Sequence, residues 1–239
     1  MNNLICLPIG KKLDELMQKP NFNFKKYWSK FNIDGLELTM AFKERIYGFK
    51  LNKEDKKWLK DLEYVSIHGP FKIINESKKE QIKILDCLYD LYDKVNAKAM
   101  LFHVHDCPYD LIDNYSWNII LENMPKKEKL NNKKATSKIL KSKYGFCLDV
   151  CHAYTISPKE IEYLYDLMKN KLIQIHLSSA FRTKEHRNLS TASESFLRAL
   201  KPVLKTNVPL QLEINEMWKK ENILKSVNKE LKFARKLFN

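Results

Sequence analysis

The chain has 239 residues, 44% of them hydrophobic and 30% charged, a balance that fits a folded globular protein and excludes a disordered one. No apolar run approaches the roughly 18 residues that a bilayer span requires, and the opening MNNLICLPIGKKLDEL has too short an apolar core for a secretory signal. A cytoplasmic protein without membrane contact is expected. The formal net charge of +14 invites a nucleic-acid partner, because lysine and arginine on phosphates supply most non-specific affinity; the lysines are nevertheless spread over almost every predicted helix, as on a solvated outer face.

In chain order, short apolar runs alternate with longer amphipathic segments. Candidate strands fall at 4–7, 35–38, 65–68, 99–103, 119–122, 146–149, 173–176 and 210–213. The clearest helical segments between them are 77–95, with Ile82, Leu85, Leu88 and Leu91-Tyr92 on one face, then 159–168, 193–204 and 221–238. Pro158 and Pro202 lie near segment ends, which supports those boundaries. A βα unit repeated eight times over this length predicts an α/β fold, a (β/α)8 TIM barrel spanning 1–239 as one domain. An open doubly wound sheet is the alternative, but with five glycines the chain holds no dinucleotide or phosphate-loop motif. The stretch PKKEKLNNKK at 125–134 reads as a surface loop. The five cysteines form no CxxC pair, so reduced, packed thiols are expected.

Catalytic residues of a barrel come from the C-terminal ends of its strands. His68, His103, Glu122, Asp149, His176 and Glu213 each end a predicted strand, and His105, His152 and His186 follow shortly after one, none in a predicted helix. Carboxylates and imidazoles together are what zinc or manganese takes. Each residue also has a plainer explanation. Asp149 could cap the next segment with His152 a turn histidine, and His68 could cap the loop at Gly69-Pro70. His103 and His105 are two apart, so on an extended strand they point the same way, whereas a bend after His103 would leave His105 outside and His103 as the ligand. Glu122 and Glu213 follow apolar runs, where burying a charge is costly without a partner or a metal. Glu37 could be a structural ion-pair partner inside the barrel.

With these residues in place, the chain resembles the xylose-isomerase-like TIM-barrel superfamily, and within it the endonuclease IV (AP endonuclease family 2) group. The resemblance runs from about residue 33 to 214 and is carried by LEN at 121–123, CLDVCHAY at 147–154, HLSSAFR at 176–182 and the strand bearing Glu213. It implies a metal-dependent hydrolase with two or three zinc ions at the barrel mouth, acting on abasic sites in DNA. His68, His103 and Glu122 would hold one ion. Glu122 would bridge to a second held with Asp149, His176 and Glu213, and His152 and His186 would hold a third. Glu122 and Glu213 would be the catalytic carboxylates, and Phe71 would wedge into the duplex. The resemblance implies no obligate protein partner.

The departures are specific. The acid that the family has two residues before the histidine matched by His186 is Lys184 here, with Glu185 beside it; the glycine-rich turn that comes next reads Arg187-Asn188-Leu189-Ser190, and an expected HPG after the fourth strand reads HVHD. The superfamily's sugar isomerases and epimerases fit the same residues. They imply one manganese, cobalt or magnesium ion on Glu122, Asp149, His176 and Glu213, with His152 and Arg182 touching a small sugar and the two glutamates exchanging a proton beside its carbonyl.

Overall fold

A computed structural model describes residues 3–17, 22–125, 132–181, 184–219 and 221–238. Among these residues the strands are β1 (Ile5–Pro8), β2 (Gly35–Thr39), β3 (Tyr64–His68), β4 (Ala99–His103), β5 (Ile119–Glu122), β6 (Gly145–Asp149), β7 (Leu172–His176), β8 (Ser179–Phe181), β9 (Lys184–Arg187) and β10 (Leu210–Gln211). Eight of them close a parallel barrel in the order β1-β10-β7-β6-β5-β4-β3-β2, and β8 and β9 form a separate antiparallel hairpin. The closed barrel rules out the open sheet. All eight predicted barrel strands are present, shifted by a residue or two at their ends. The largest shift is at β10, which stops at Gln211, so Glu213 lies in the loop beyond it.

The helices are α1 (Gly10–Met17), α2 (Phe24–Trp28), α3 (Lys43–Gly48), α4 (Lys53–Asp61), α5 (Lys78–Val95), α6 (Asn132–Lys141), α7 (Val150–Ile156), α8 (Glu160–Met168), α9 (Glu194–Ala199) and α10 (Ile223–Phe238). β4 passes to β5 with only a 3-10 turn, Ile112–Asn114. Helix α5 is opened by Ser77, whose hydroxyl accepts from Glu80 N–H, and is ended by Asn96 in the left-handed conformation. Its buried face carries Gln81, Ile84, Leu85 and Leu88, while Ile82 is exposed, which differs from the face read in the sequence in the first turn. The predicted helix 193–204 splits into α9 and a 3-10 turn at Lys201–Val203, where Pro202 cannot extend an α-helical ladder. Of the predicted loop 125–134, residues 126–131 lie outside the described residues, and Asn132 already starts α6.

Strand periodicity decides what faces the barrel axis. Met100 and Phe102, Ile119 and Leu121, and Phe146 and Leu148 join the large core beneath the helices. Their alternates Ala99, Leu101, Ile120 and Cys147 form a small apolar cluster of their own. The same inward row ends in His103, Glu122 and Asp149. Across the axis the inward positions are polar: Tyr64 donates to Gln174 at 2.9 Å, Gln174 to Glu37 at 2.7 Å, and Gln211 to Ser66 at 3.3 Å. One half of the interior is therefore greasy and the other is a hydrogen-bonded network, and both lie under the mouth where the strands end. No described helix is long and apolar enough to cross a membrane.

Candidate metal centre

Parallel register brings the strand ends to one level. His103 pairs with Glu122, and Asp149 with His176. Among the described residues, four groups place their ligand atoms within 4.8 Å of one another: His68, His103 and Glu122; Glu122, Asp149, His176 and Glu213; Asp149, His152 and His186; and His103, His105 and Asp106. The first two are ligand sets that the family resemblance implies. In the third, Asp149 joins His152 and His186. The fourth is not among the expected sets, although the Asp106 of HVHD is visible in the sequence.

Glu122, fully buried, stands at the centre. Its Oε2 lies 3.5 Å from Nε2 of both His68 and His103, and its Oε1 lies 3.2 Å from His176 Nδ1. Burial alone would push its carboxyl up, but His176, His68 and His103 surround it and hold it well below the usual range. Glu213 Oε2 approaches His176 Nδ1 to 3.0 Å. Burial raises this carboxyl too, and His186 and His176 outweigh that and hold it at about 2. Asp149 behaves oppositely: burial, with Glu122 and Glu213 nearby, pushes it up to about 6 against the pull of His152 and His186.

Asp149 also caps α7, accepting from His152 N–H at 2.7 Å, and Asn123 brackets its backbone with two hydrogen bonds, 2.7 and 2.9 Å. The capping role and the ligand geometry thus coexist, since capping uses Oδ1 and leaves Oδ2 toward the cluster. His152 is in the first turn of α7, not in a turn outside a helix, and its Nδ1 lies 3.0 Å from Asn123 O. His186 belongs to β9 and has φ of 54°, a region that a non-glycine residue enters at a cost of about 1–3 kcal/mol. Three contacts hold it there: its N–H donates to Cys151 Sγ at 3.3 Å, its carbonyl accepts from Asn215 N–H at 2.9 Å, and its Nδ1 lies 3.2 Å from Glu213 O.

Lys184 is exposed at the start of β9, paired with Phe181. Phe71 sits at the rim, half-exposed, its ring stacked on His103 with centroids 4.9 Å apart and edge-on to exposed Phe42 at 6.0 Å. A cavity of about 520 Å³ opens beside it, reaching from Phe42 and Arg45 across to His186 and Glu213. Arg182 lies outside the described residues.

The donor set suits a divalent ion. Glu122 Oε2, Asp149 Oδ2 and Glu213 Oε2 are buried without a hydrogen bond, three orphaned acceptors turned toward imidazoles, which is a costly arrangement unless a cation completes it. Nitrogen and carboxylate ligands in this mixture are those of zinc and its neighbours.

No protein-family model matches the chain, and no curated protein matches it by sequence. Solved structures match along its whole length. They include a D-tagatose 3-epimerase-like protein, with 14% identity, TM-score 0.65, and 99% of this chain and 98% of that chain covered. Endonuclease IV from Thermus thermophilus matches at 12% identity and TM-score 0.63, with 98% of each chain covered. A xylose isomerase domain protein from Planctomyces limnophilus matches at 13% identity and TM-score 0.62, with 99% of this chain and 96% of that one covered. Identities this low carry the fold and leave the chemistry to the site. The chain shares the TIM-barrel fold of these structures, which include both an endonuclease and an epimerase-like protein.

Proposed function

We propose that the chain is a metal-dependent phosphodiester hydrolase that acts on abasic sites in DNA through two or three zinc ions. The observation that carries this reading is the position of Glu122, whose two oxygens face different ligand groups, Oε2 toward His68 and His103 and Oε1 toward His176. An enzyme with one ion has no evident use for the first pair.

His68, His103 and Glu122 would hold one ion, and Glu122, Asp149, His176 and Glu213 a second. His152 and His186 would hold a third with Asp149 taking the place of the acid that Lys184 lacks. Ions bound there would activate a water and neutralise charge on the phosphoryl oxygens. Glu122 would orient that water from between the two groups, and Glu213, held ionised by His186 and His176, would keep a negative charge beside it. Phe71, on the rim beside His103, would fill the gap left by a displaced base, and Arg182 would contact the substrate. The surplus of positive charge would hold the duplex. All five cysteines are free thiols, in keeping with the cytoplasmic location we infer, and residues 1–239 are taken as one domain.

The test is elemental analysis of the purified protein followed by cleavage of an abasic oligonucleotide. Two or three zinc ions per chain are expected, with cleavage lost in His68→Ala. Full cleavage by His68→Ala would sink the reading.

A second reading rests on one observation: Glu122, Asp149, His176 and Glu213 form a complete four-ligand group without the other histidines. It would make the chain a sugar epimerase or isomerase with one manganese, cobalt or magnesium ion. Its mark would be solvent deuterium entering the carbon beside the carbonyl of a keto sugar.

A further inference from the structure

Glu37 is absorbed by neither reading, although it is 1% exposed and lies on an inward position of β2 directly below the candidate centre. Its Oε2 accepts from Ser66 Oγ at 3.1 Å and from Gln174 Nε2 at 2.7 Å, and it lies 3.2 Å from His176 Nε2. On the opposite side of the same ring, His176 Nδ1 faces Glu122 and Glu213 at 3.2 and 3.0 Å. The imidazole is thus clamped between a carboxylate pair in front and one carboxylate behind. Tyr64 donates to Gln174 Oε1, which fixes the amide with its NH2 toward Glu37, and Gln211 donates to Ser66 Oγ. Every neighbour of Glu37 is itself held.

We propose that Glu37 is a positioning residue for the metal centre: it takes the Nε2–H of His176, fixes the tautomer with a bare Nδ1, and so presents that nitrogen to the ion in the four-ligand group. Imidazole can offer Nδ1 to a metal only when its proton is on Nε2. A buried Nε2–H needs an acceptor, and Glu37 Oε2, 3.2 Å away, is a carboxylate oxygen in reach of it. Gln174 Nε2 lies 2.9 Å from the same ring nitrogen and would favour the opposite tautomer, in which Nε2 accepts and Nδ1 carries the proton. The two neighbours therefore compete, and an ion at Nδ1 decides for Glu37. A negative charge behind the ring also raises the basicity of the coordinating nitrogen, as carboxylates behind metal-bound histidines do. The alternative role for Glu37, plain packing, explains neither the convergence of three donors on one oxygen nor a carboxylate where an amide would fill the same space.

The inference rests on the metal reading of the centre, and its test separates the two. In a His68→Ala background, which leaves the four-ligand group alone, zinc affinity is measured by chelator competition with and without Glu37→Gln. The substitution is isosteric and removes the charge. Affinity is expected to fall about 10- to 100-fold, with the circular dichroism of the ion-free protein unchanged. Zinc bound by the parent and held equally tightly by the Glu37→Gln protein overturns the inference and spares the metal reading; no zinc bound by the parent overturns both. Should Glu37→Gln fail to fold, the nitrogen-15 spectrum of zinc-loaded wild-type protein decides. A protonated Nε2 and a coordinated Nδ1 on His176 are expected, and the reverse assignment removes the proposal.

Discussion

The two sides of Glu122 are built differently. On one side, His68 and His103 end adjacent barrel strands, and their rear nitrogens are held by residues one and three positions further along the chain: Gly69 O at 2.8 Å from His68 Nδ1, and Asp106 Oδ2 at 3.5 Å from His103 Nδ1. Gly69 must be a glycine for this turn to close, because a Cβ there would stand 2.4 Å from the Phe102 ring. On the other side, His152 sits on a helix and His186 on a hairpin outside the barrel, the latter with a left-handed backbone held by Cys151, Glu213 and Asn215. Each side shares its only acid with the four-ligand group, Glu122 on the strand side and Asp149 on the other. Candidate ligands on barrel strands are aligned by register and held by short local turns, whereas those on appended elements need a helix cap or a left-handed backbone held from several sides.

The largest test of this comparison is at its pivot. Glu122→Gln removes the one carboxylate common to the first group and the four-ligand group, and is expected to lower turnover on the order of 10³-fold and to reduce bound metal in both. Loss of metal from one group alone would show that Glu122 bridges nothing. On the strand side, Asp106→Asn weakens the hold on the rear nitrogen of His103. A fall of about 10- to 100-fold in the affinity of the first ion is expected, against no change for the ion beside His176. An equal fall in both would mean that Asp106 supports the fold and not the ligand.

A smaller effect tests the shared acid through pH. Burial raises Asp149 to about 6 from its ordinary 3.8. Between those two values the folded, ion-free protein holds a proton that the unfolded chain has released, so at this group folding stability falls as pH rises through the window. An ion must displace that proton. Affinity is therefore expected to fall at least about tenfold per pH unit below about 6, more steeply if His68, His152 and His176 are charged. Burial disfavours charge on these three, yet the adjoining carboxylates raise all of them. Glu213, at about 2, stays ionised throughout that window. Affinity that is flat between pH 5 and 6, followed by competitive titration, would separate Asp149 from the ion.

Much of this could be read from residues in order. The eight barrel strands were legible because buried parallel strands are short apolar runs, and the residue ending each run was legible as costly unless used. What stayed hidden depends on chain geometry beyond a period. The hairpin Ser179–Phe181 with Lys184–Arg187 has no alternating apolar pattern to announce it, since KEHR is polar throughout. The helical start of CHAY was obscured because Asp149 acts as both strand end and helix cap. Gln174 and Gln211 interrupt apolar strands, and their role as partners of Glu37 and Ser66 appears only once the barrel closes. Helix α5 is legible in extent and, through Leu85, Leu88, Leu91 and Tyr92, in most of its face; the exception is its first turn, where Gln81 takes the buried place of Ile82 by bonding the Ile74 and Glu76 carbonyls, which no hydropathy pattern reveals.

The finest test asks whether sharing Asp149 limits ion binding on the hairpin side. Lys184 lies two residues before His186 within β9, and positions i and i+2 of a strand face the same way. An aspartate there would offer the third group its own carboxylate and release Asp149 to the four-ligand group. Lys184→Asp is expected to tighten the third ion about tenfold, seen as a third zinc that survives dialysis against a chelator which strips it from the parent. Lys184→Ala separates the two contributions. If it tightens the ion equally, the gain comes from removing a positive charge near the site; if it leaves affinity unchanged while Lys184→Asp raises it, the new carboxylate is a ligand. Unchanged affinity in both would mean that the backbone turn at His186 directs residue 184 away from the centre. Any limit on that side would then lie in the hairpin's geometry, and the shared acid would be incidental.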